Sequence, residues 1–352
     1  MPTQNLGQLG WRSFYSQQLT LEDLEIGLPA RIAGVHRNRV HVLTESAEQD
    51  VLPPGEWATQ LDSPIAVGDW VLIERDAPRL LRVLNRASLI SRLAAGTQQR
   101  IQSIAANVDT LFVVTSCNDD FNPSRLERYL SIAFESQVQP VVLLTKSDLT
   151  DKADDYLEQL RHLAPQVESI AINALSGETV SQLQPWLTSG QTVAFVGSSG
   201  VGKSTLVNTL SGASLQATAG IREDDARGRH TTTSRQLIAM PGGAWLIDTP
   251  GMRELKIGAV ERGLEAAFTD LSALARSCRF RDCSHAREQG CALERAVQEG
   301  TLDSRRLDNY LKLEREAANA ARSLRERRER ERQFGRLSKA VQTHKRRRNR
   351  SE

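Results

Sequence analysis

The sequence predicts a multidomain chain of three modules in series: a small β-domain, a central α/β domain, and a C-terminal helical domain that ends in a basic tail. Three observations predict it. Short alternating apolar runs, punctuated by Gly, Asn and Pro, occupy residues 30–84. From Val108 onward, strand-like runs alternate with helix-like ones. After Gly251 the chain turns helical and charged, and three of its four cysteines fall within fourteen positions. At 352 residues the chain is long for one domain and suits two or three, each able to bury a core. The expected boundaries are an arm over 1–28, the β-domain over 29–95, the α/β domain over 96–262, the helical domain over 263–321 and the tail over 322–352.

Taken in order, the arm offers Trp11, Phe14 and Tyr15 and one short helix near Leu21 to Ile26. The β-domain should hold strands over 30–35, 39–43, 70–74 and 80–84, with Val67-Gly68-Asp69-Trp70 as a turn that delivers a strand. About sixty-five residues in roughly five strands is the size of an OB-type barrel, a fold that often binds RNA. Arg31, His36, Arg37, Arg39 and His41 give basic character to one hairpin, and RNA contact there is expected. In the α/β domain, strands are expected over 110–115, 140–144, 169–172, 192–196, 235–240 and 244–247, with helices over 123–136, 179–187 and 204–210. Further helices are expected over 264–274, 292–298 and 305–333. The last is Arg/Glu-rich and weakly apolar on any face, hence expected to order on a partner.

Charge is uneven. Residues 322–350 carry thirteen Lys or Arg against three Glu, which leaves 32 basic against 40 acidic residues elsewhere. A basic tail on an acidic body is the pattern of nucleic-acid contact. No run of about twenty apolar residues and no basic start followed by an apolar core is found, so neither a span nor a signal peptide is expected, and the chain should be cytoplasmic.

Residues 197–204 read Gly-Ser-Ser-Gly-Val-Gly-Lys-Ser and fit G-x-x-x-x-G-K-[ST], between an apolar strand and a helix. Gly197, Ser198, Ser199, Gly200, Val201 and Gly202 would turn backbone N–H groups toward a β-phosphate. Lys203 would reach the β- and γ-phosphates, Ser204 would offer a hydroxyl to Mg²⁺, and Thr205 would follow in the first helical turn. Thr145-Lys146-Ser147-Asp148 follows a strand and resembles the Asn-Lys-x-Asp element of GTPases, with Thr for Asn. Asp148 can accept from both N1–H and the N2 amine of guanine, a pair that adenine lacks. Asp248-Thr249-Pro250-Gly251 resembles the Asp-x-x-Gly element, in which Asp248 reaches Mg²⁺ through water and the Gly251 amide senses the γ-phosphate. Between them lies Gly228-Arg229-His230-Thr231-Thr232-Thr233, where Thr231 or Thr232 could bind Mg²⁺ in the GTP state. Asn173 and Ala174 occupy the place of the loop that backs the guanine. Because the base element precedes the phosphate loop, the domain is expected to be circularly permuted.

Cys278, Cys283, His285 and Cys291 supply three thiolates and an imidazole, the donor set of a closed structural Zn²⁺ site. Cys117 lies far away in sequence and reads as an ordinary strand-end residue.

A β-barrel, a permuted GTPase domain and a Cys-x4-Cys-x-His-x5-Cys segment in that order resemble the RsgA (YjeQ) family over roughly residues 30–310. The resemblance implies GTP hydrolysis stimulated by the small ribosomal subunit during its late maturation, with the barrel and zinc domains touching rRNA. The chain departs from the commoner pattern at Thr145 and Asn173 and in its Arg-rich end. Ras-like enzymes align the attacking water with a glutamine just after Asp-x-x-Gly; here that residue is Met252, whose thioether cannot do so. Slow intrinsic turnover is therefore expected, with His230 as the water-positioning candidate beside Lys203, Thr231 and Asp248 in the catalytic set. The chain is expected to act as a monomer. A reading of another class makes it an RNA-binding assembly factor whose nucleotide site is an occupancy switch; a third makes it an ATP-using enzyme, against which Asp148 argues.

Overall fold

Strand β1 (Gly27–Val35) is paired along both edges in the computed structural model, which describes residues 5–36, 38–53, 65–93, 101–212, 236–248, 260–285 and 288–322. On one side it meets β2 (Val40–Leu43), on the other β4 (Trp70–Glu74). Strand β2 continues to β3 (Glu48–Val51), β4 to β5 (Leu80–Val83), and a parallel bridge between Leu52 and Arg79 joins the end of β3 to the start of β5. The order β1-β2-β3-β5-β4-β1 closes a five-stranded ring, as an OB-type barrel requires. Alternate residues, Ala30 and Ile32, Val40 and Val42, Val71 and Ile73, point inward to the ring's own core.

The basic hairpin differs from expectation. Arg31 is 1% exposed, so it cannot face RNA. Its Nη2 donates to Thr192 Oγ1 at 2.5 Å, its Nη1 to Leu9 O, and its guanidinium lies 5.7 Å from the Trp70 ring centroid. Burial lowers its pKa to about 10, which still leaves it charged at neutral pH. His41 sits 3.1 Å from Asp50 and 3.4 Å from Glu48, and Arg39 pairs with Asp50 at 3.0 Å, so acidic β3 partners both residues, while Arg37 lies outside the described residues.

Strands β6 (Leu89–Leu93) and β7 (Ile101–Ala106) pair antiparallel, so the boundary expected at 95/96 falls between two strands of one hairpin. The arm carries the expected helix Leu21–Ile26, opened by a Thr20/Asp23 capping box. Trp11 and Tyr15 pack on Trp70 with ring centroids 4.7 and 5.7 Å away, which seats the arm over the barrel.

In the α/β domain, β10 (Glu168–Ala171), β9 (Gln139–Thr145), β8 (Thr110–Ser116), β11 (Thr192–Gly197) and β13 (Trp245–Asp248) run parallel in that order, with β12 (Gln236–Ala239) antiparallel beyond β13. Strand β11 therefore sits inside the sheet although it comes late in the chain. Strands β8, β9 and β11 are buried on both faces, which is why they read as continuous apolar runs. Phe112, Val141 and Phe195 point to one face, Val113, Val142 and Val196 to the other. Among the described residues, the register pair of Gly34 with Gln236 joins β12 to β1 and so the sheet to the barrel.

The C-terminal helices cover the second face, where Leu264, Phe268, Leu271, Leu293 and Leu313 share one core with the sheet. The helix expected over 264–274 is two, Glu261–Ala267 and Thr269–Ala275, broken where Phe268 turns out of helical geometry at φ −124 and ψ 49. Helix Ala292–Gln298 is as expected. Residues 304–322 are helical and lie on helix Pro123–Glu135, with Leu307, Leu311 and Leu313 buried. For residues 304–322 this differs from the expectation from composition, since they pack against the body of the chain; residues 323–333 of the expected helix lie outside the described residues. Gly263 permits the close packing beneath them: a Cβ there would lie 2.0 Å from Ser131 O.

Candidate functional site

The site gathers at the carboxyl ends of the parallel strands, where open α/β sheets bind ligands. Strand β11 ends at Gly197, where a Cβ would come 2.2 Å from Val114 O of the neighbouring strand. Gly202, at φ 94, then turns the chain into helix Lys203–Ser211, and Leu206 N donates to Gly202 O at 2.9 Å as the helix begins. That helix has no acidic residue in its first turn, so its N-terminus presents N–H groups and positive potential to an anion. Lys203 Nζ donates to Gly197 O at 2.8 Å and to Ser198 O, which holds the ammonium over the loop. Ser204 is exposed and Thr205 half-buried in the same turn.

Strand β9 delivers the base element. Thr145 is fully buried, and its hydroxyl lies 2.6 Å from Val201 O and 3.1 Å from Thr115 O. The side chain thus braces the base element against the phosphate loop. Lys146 takes a left-handed conformation at φ 61, and Ser147–Leu149 form a 3-10 turn that leaves Asp148 exposed. Ser147 N donates to Ile172 O at 3.4 Å, which draws in the next loop. There Asn173 Oδ1 accepts from Leu175 N at 2.9 Å, and Ala174 O accepts from Thr209 Oγ1 at 2.6 Å, a residue of the phosphate-loop helix. Base element, backing loop and phosphate loop are therefore tied pairwise.

Asp248 ends β13 and is exposed; since Ala194 pairs with Ile247, it stands one step further along the same sheet edge as the phosphate loop. His230, Thr231, Thr232, Gly251 and Met252 lie outside the described residues. One residue that the motifs did not signal joins the site. Arg125, on helix Pro123–Glu135, donates through Nη1 to Ser198 Oγ. Nothing in its spacing points to a residue seventy-three positions away.

The Cys/His group comes together as its spacing predicts. One ligand atom from each of Cys278, Cys283, His285 and Cys291 lies within 4.8 Å of the others, and this group could hold a metal ion. His285 Nδ1 is 3.6 Å from both Cys278 Sγ and Cys291 Sγ. A tetrahedral ion with sulfur at ~2.3 Å and nitrogen at ~2.05 Å sets that edge at about 3.6 Å, so the donors fit. His285 reaches its place through a left-handed backbone at φ 57, and Glu288 ties the turn by accepting from Ser284 N at 3.0 Å and Ser284 Oγ at 2.6 Å. Cys117 stands apart, buried just beyond β8.

A phosphate loop inside a parallel sheet, preceded in sequence by its base element, defines a P-loop GTPase domain of circularly permuted order. A model of the RsgA GTPase family matches residues 83–258. An ABC transporter model matches 180–342, a stretch that shares the phosphate loop but covers less than half of the chain. "Small ribosomal subunit biogenesis GTPase RsgA 2" of Vibrio vulnificus is 48% identical over 97% of this chain and 96% of its own length. "Small ribosomal subunit biogenesis GTPase RsgA" of Mesorhizobium japonicum is 47% identical over 88% and 89%. Among solved structures, YjeQ from Thermotoga maritima aligns with a TM-score of 0.62 at 26% identity over 83% of this chain and 99% of its own. YloQ, a circularly permuted GTPase, aligns at 0.56 and 24% over 83% and 96%, a likeness of fold. The chain belongs to the RsgA GTPase family. No described helix is long and apolar enough to cross a membrane.

Proposed function

We propose that this chain binds GTP at the strand ends and hydrolyses it to GDP and phosphate on the small ribosomal subunit during late subunit maturation, with the subunit stimulating turnover. The observation that carries the reading is the Thr145 brace at 2.6 Å from Val201 O, which couples a guanine-selective element to a phosphate loop in one rigid edge. The small ribosomal subunit, for which these relatives are named, is the partner in this reading.

In this reading Asp148 accepts from guanine N1–H and N2, Lys146 lies along the base, and the loop amides with Lys203 hold the phosphates. Ser204, Asp248 and Thr231 or Thr232 are the residues to hold Mg²⁺, which when bound offsets charge on the β- and γ-phosphates. His230 orients the attacking water in place of the glutamine that Met252 supplants. Cys278, Cys283, His285 and Cys291 hold one zinc ion as a structural cross-link. Residues 322–352 supply basic charge for rRNA, and the chain works as a cytoplasmic monomer. GTP turnover measured with small subunits, with large subunits and with neither tests the reading. Stimulation by small subunits alone is expected, and it should be lost in His230→Ala with nucleotide affinity kept. Turnover indifferent to the subunit would favour the occupancy-switch alternative.

A further inference from the structure

Arg125 stands in the first turn of helix Pro123–Glu135, where the Asn122 cap accepts its backbone N–H at 2.9 Å. Its guanidinium donates to Ser198 Oγ, and Ser198 O is one of the two carbonyls that hold Lys203 Nζ. The C-terminal helix grips the same turn from the other side. Arg305 Nη1 donates to Ser124 Oγ at 3.1 Å, and Asn309 Nδ2 to Ser124 O at 3.2 Å. Glu127, whose side chain is 1% exposed, accepts from Arg305 at 3.1 Å, Arg306 at 2.8 Å and Asn309 at 2.5 Å. Arg306 carries the grip onward, with bonds of 2.9 and 2.8 Å to Asp270 and its guanidinium 4.9 Å from the Phe268 ring centroid. A carboxylate buried among two guanidiniums and an amide is costly to disturb, so the turn at 124–127 is fixed to the helical unit.

Residues 124–127 therefore hold, in adjacent positions, one contact to the phosphate loop and several to the helical unit that carries the Cys/His group. We propose that Arg125 is a positioning residue through which the C-terminal helix 304–322 sets the phosphate loop, so that loosening the helix weakens nucleotide binding and nucleotide binding changes how firmly the helix is held. The proposal rests on the reading of Gly197–Ser204 as the nucleotide site. Linkage makes the effect reciprocal between the two ends.

The test is a pair of mutant cycles on the full chain, read by titration of fluorescent GDP at fixed Mg²⁺ and by thermal unfolding. Arg125→Ala and Ser198→Ala should each weaken GDP binding about fivefold, and together no more than either alone, since each removes the same charge-assisted bond. Arg305→Ala, a change at a half-exposed side chain, should weaken it about twofold to threefold in the parent and not at all in the Arg125→Ala background. Additive losses, or an Arg305→Ala effect that persists without Arg125, would overturn the proposal; so would unchanged affinity in Ser198→Ala, or lower thermal stability with affinity intact. If Arg125→Ala fails to fold, the Ser198→Ala and Arg305→Ala cycle decides alone, with additivity as the refuting result. A parent chain that does not bind GDP refutes the nucleotide-site reading instead, so the two failures are distinct.

Discussion

Replacing Thr145 by Val removes one hydroxyl with little change of volume, and so tests whether base and phosphate recognition are joined. The hydroxyl lies 2.6 Å from Val201 O in a position with no solvent exposure. A neutral hydrogen bond contributes roughly 0.5–1.5 kcal/mol net, and a carbonyl left buried without its donor raises the loss toward ~3 kcal/mol. Thr115 O, at 3.1 Å, is the weaker acceptor, so the cost falls mainly on Val201 O in the phosphate loop. We therefore expect Thr145→Val to lower unfolding stability by about 1–2 kcal/mol, read by urea denaturation with an unchanged slope. Part of the same free energy should appear in binding. If half of it is needed to hold the loop in its binding geometry, GDP affinity drops about twofold to fivefold, since ~1.4 kcal/mol is tenfold. Thr145→Ser keeps the donor and should retain most of both. Parent-like GDP affinity in Thr145→Val would refute the brace, and would mean that the two loops are placed independently.

Three further outcomes are expected. The purified chain should carry one zinc ion by metal analysis, and Cys283→Ser should lose it along with the first part of the thermal transition; a metal-free parent of equal stability would refute the site. Gly263→Ala should destabilise by ~1–3 kcal/mol, because its Cβ would lie 2.0 Å from Ser131 O and the two helices must part, whereas Gly177→Ala, with nothing within 4 Å, should stay within ~0.5 kcal/mol. Burial would raise the Asp270 carboxyl, but the hydrogen bonds and charge of Arg306 outweigh it and hold the pKa below the usual 3.8. Its stabilisation is thus present above that value and lost as pH falls through the lower, folded-state pKa. The stability gap between parent and Asp270→Asn should shrink as pH falls from 6 toward 3, and a constant gap would count against the Arg306 pairing.

Much of the fold was legible because its signals are local. Strand β4 and helices Leu21–Ile26 and Ala292–Gln298 fall where the apolar pattern places them. The misses were of two kinds. Strand β3 reads Glu-Gln-Asp-Val and exists because β2 offers it a ladder, a fact that periodicity in a polar tetrapeptide cannot carry. Helix Ala153–Leu163 is absent from the expected elements, although Tyr156, Leu157, Leu160 and Leu163 share helical spacing and carry its signal. At the site, the four metal ligands and the phosphate loop are short motifs and needed no tertiary knowledge. Arg31 and Arg125 did: each is an arginine whose role depends on a residue far along the chain, Thr192 for one and Ser198 for the other. A charge pattern alone casts both as surface residues.

Burial of Arg31 also bears on the order in which the chain can assemble during synthesis. Its partner Thr192 is made 161 residues later, an interval of about 8–32 s at ~5–20 residues per second. Through that interval the guanidinium has no strand β11 to meet, and the flank of the ring beside it faces water. A ring that closes within that interval would have to stand without the sheet, and its separate inner cluster around Ile32, Val42, Val71 and Ile73 is the interior that would hold it. Strand β11 would then dry a flank of the ring instead of building its core.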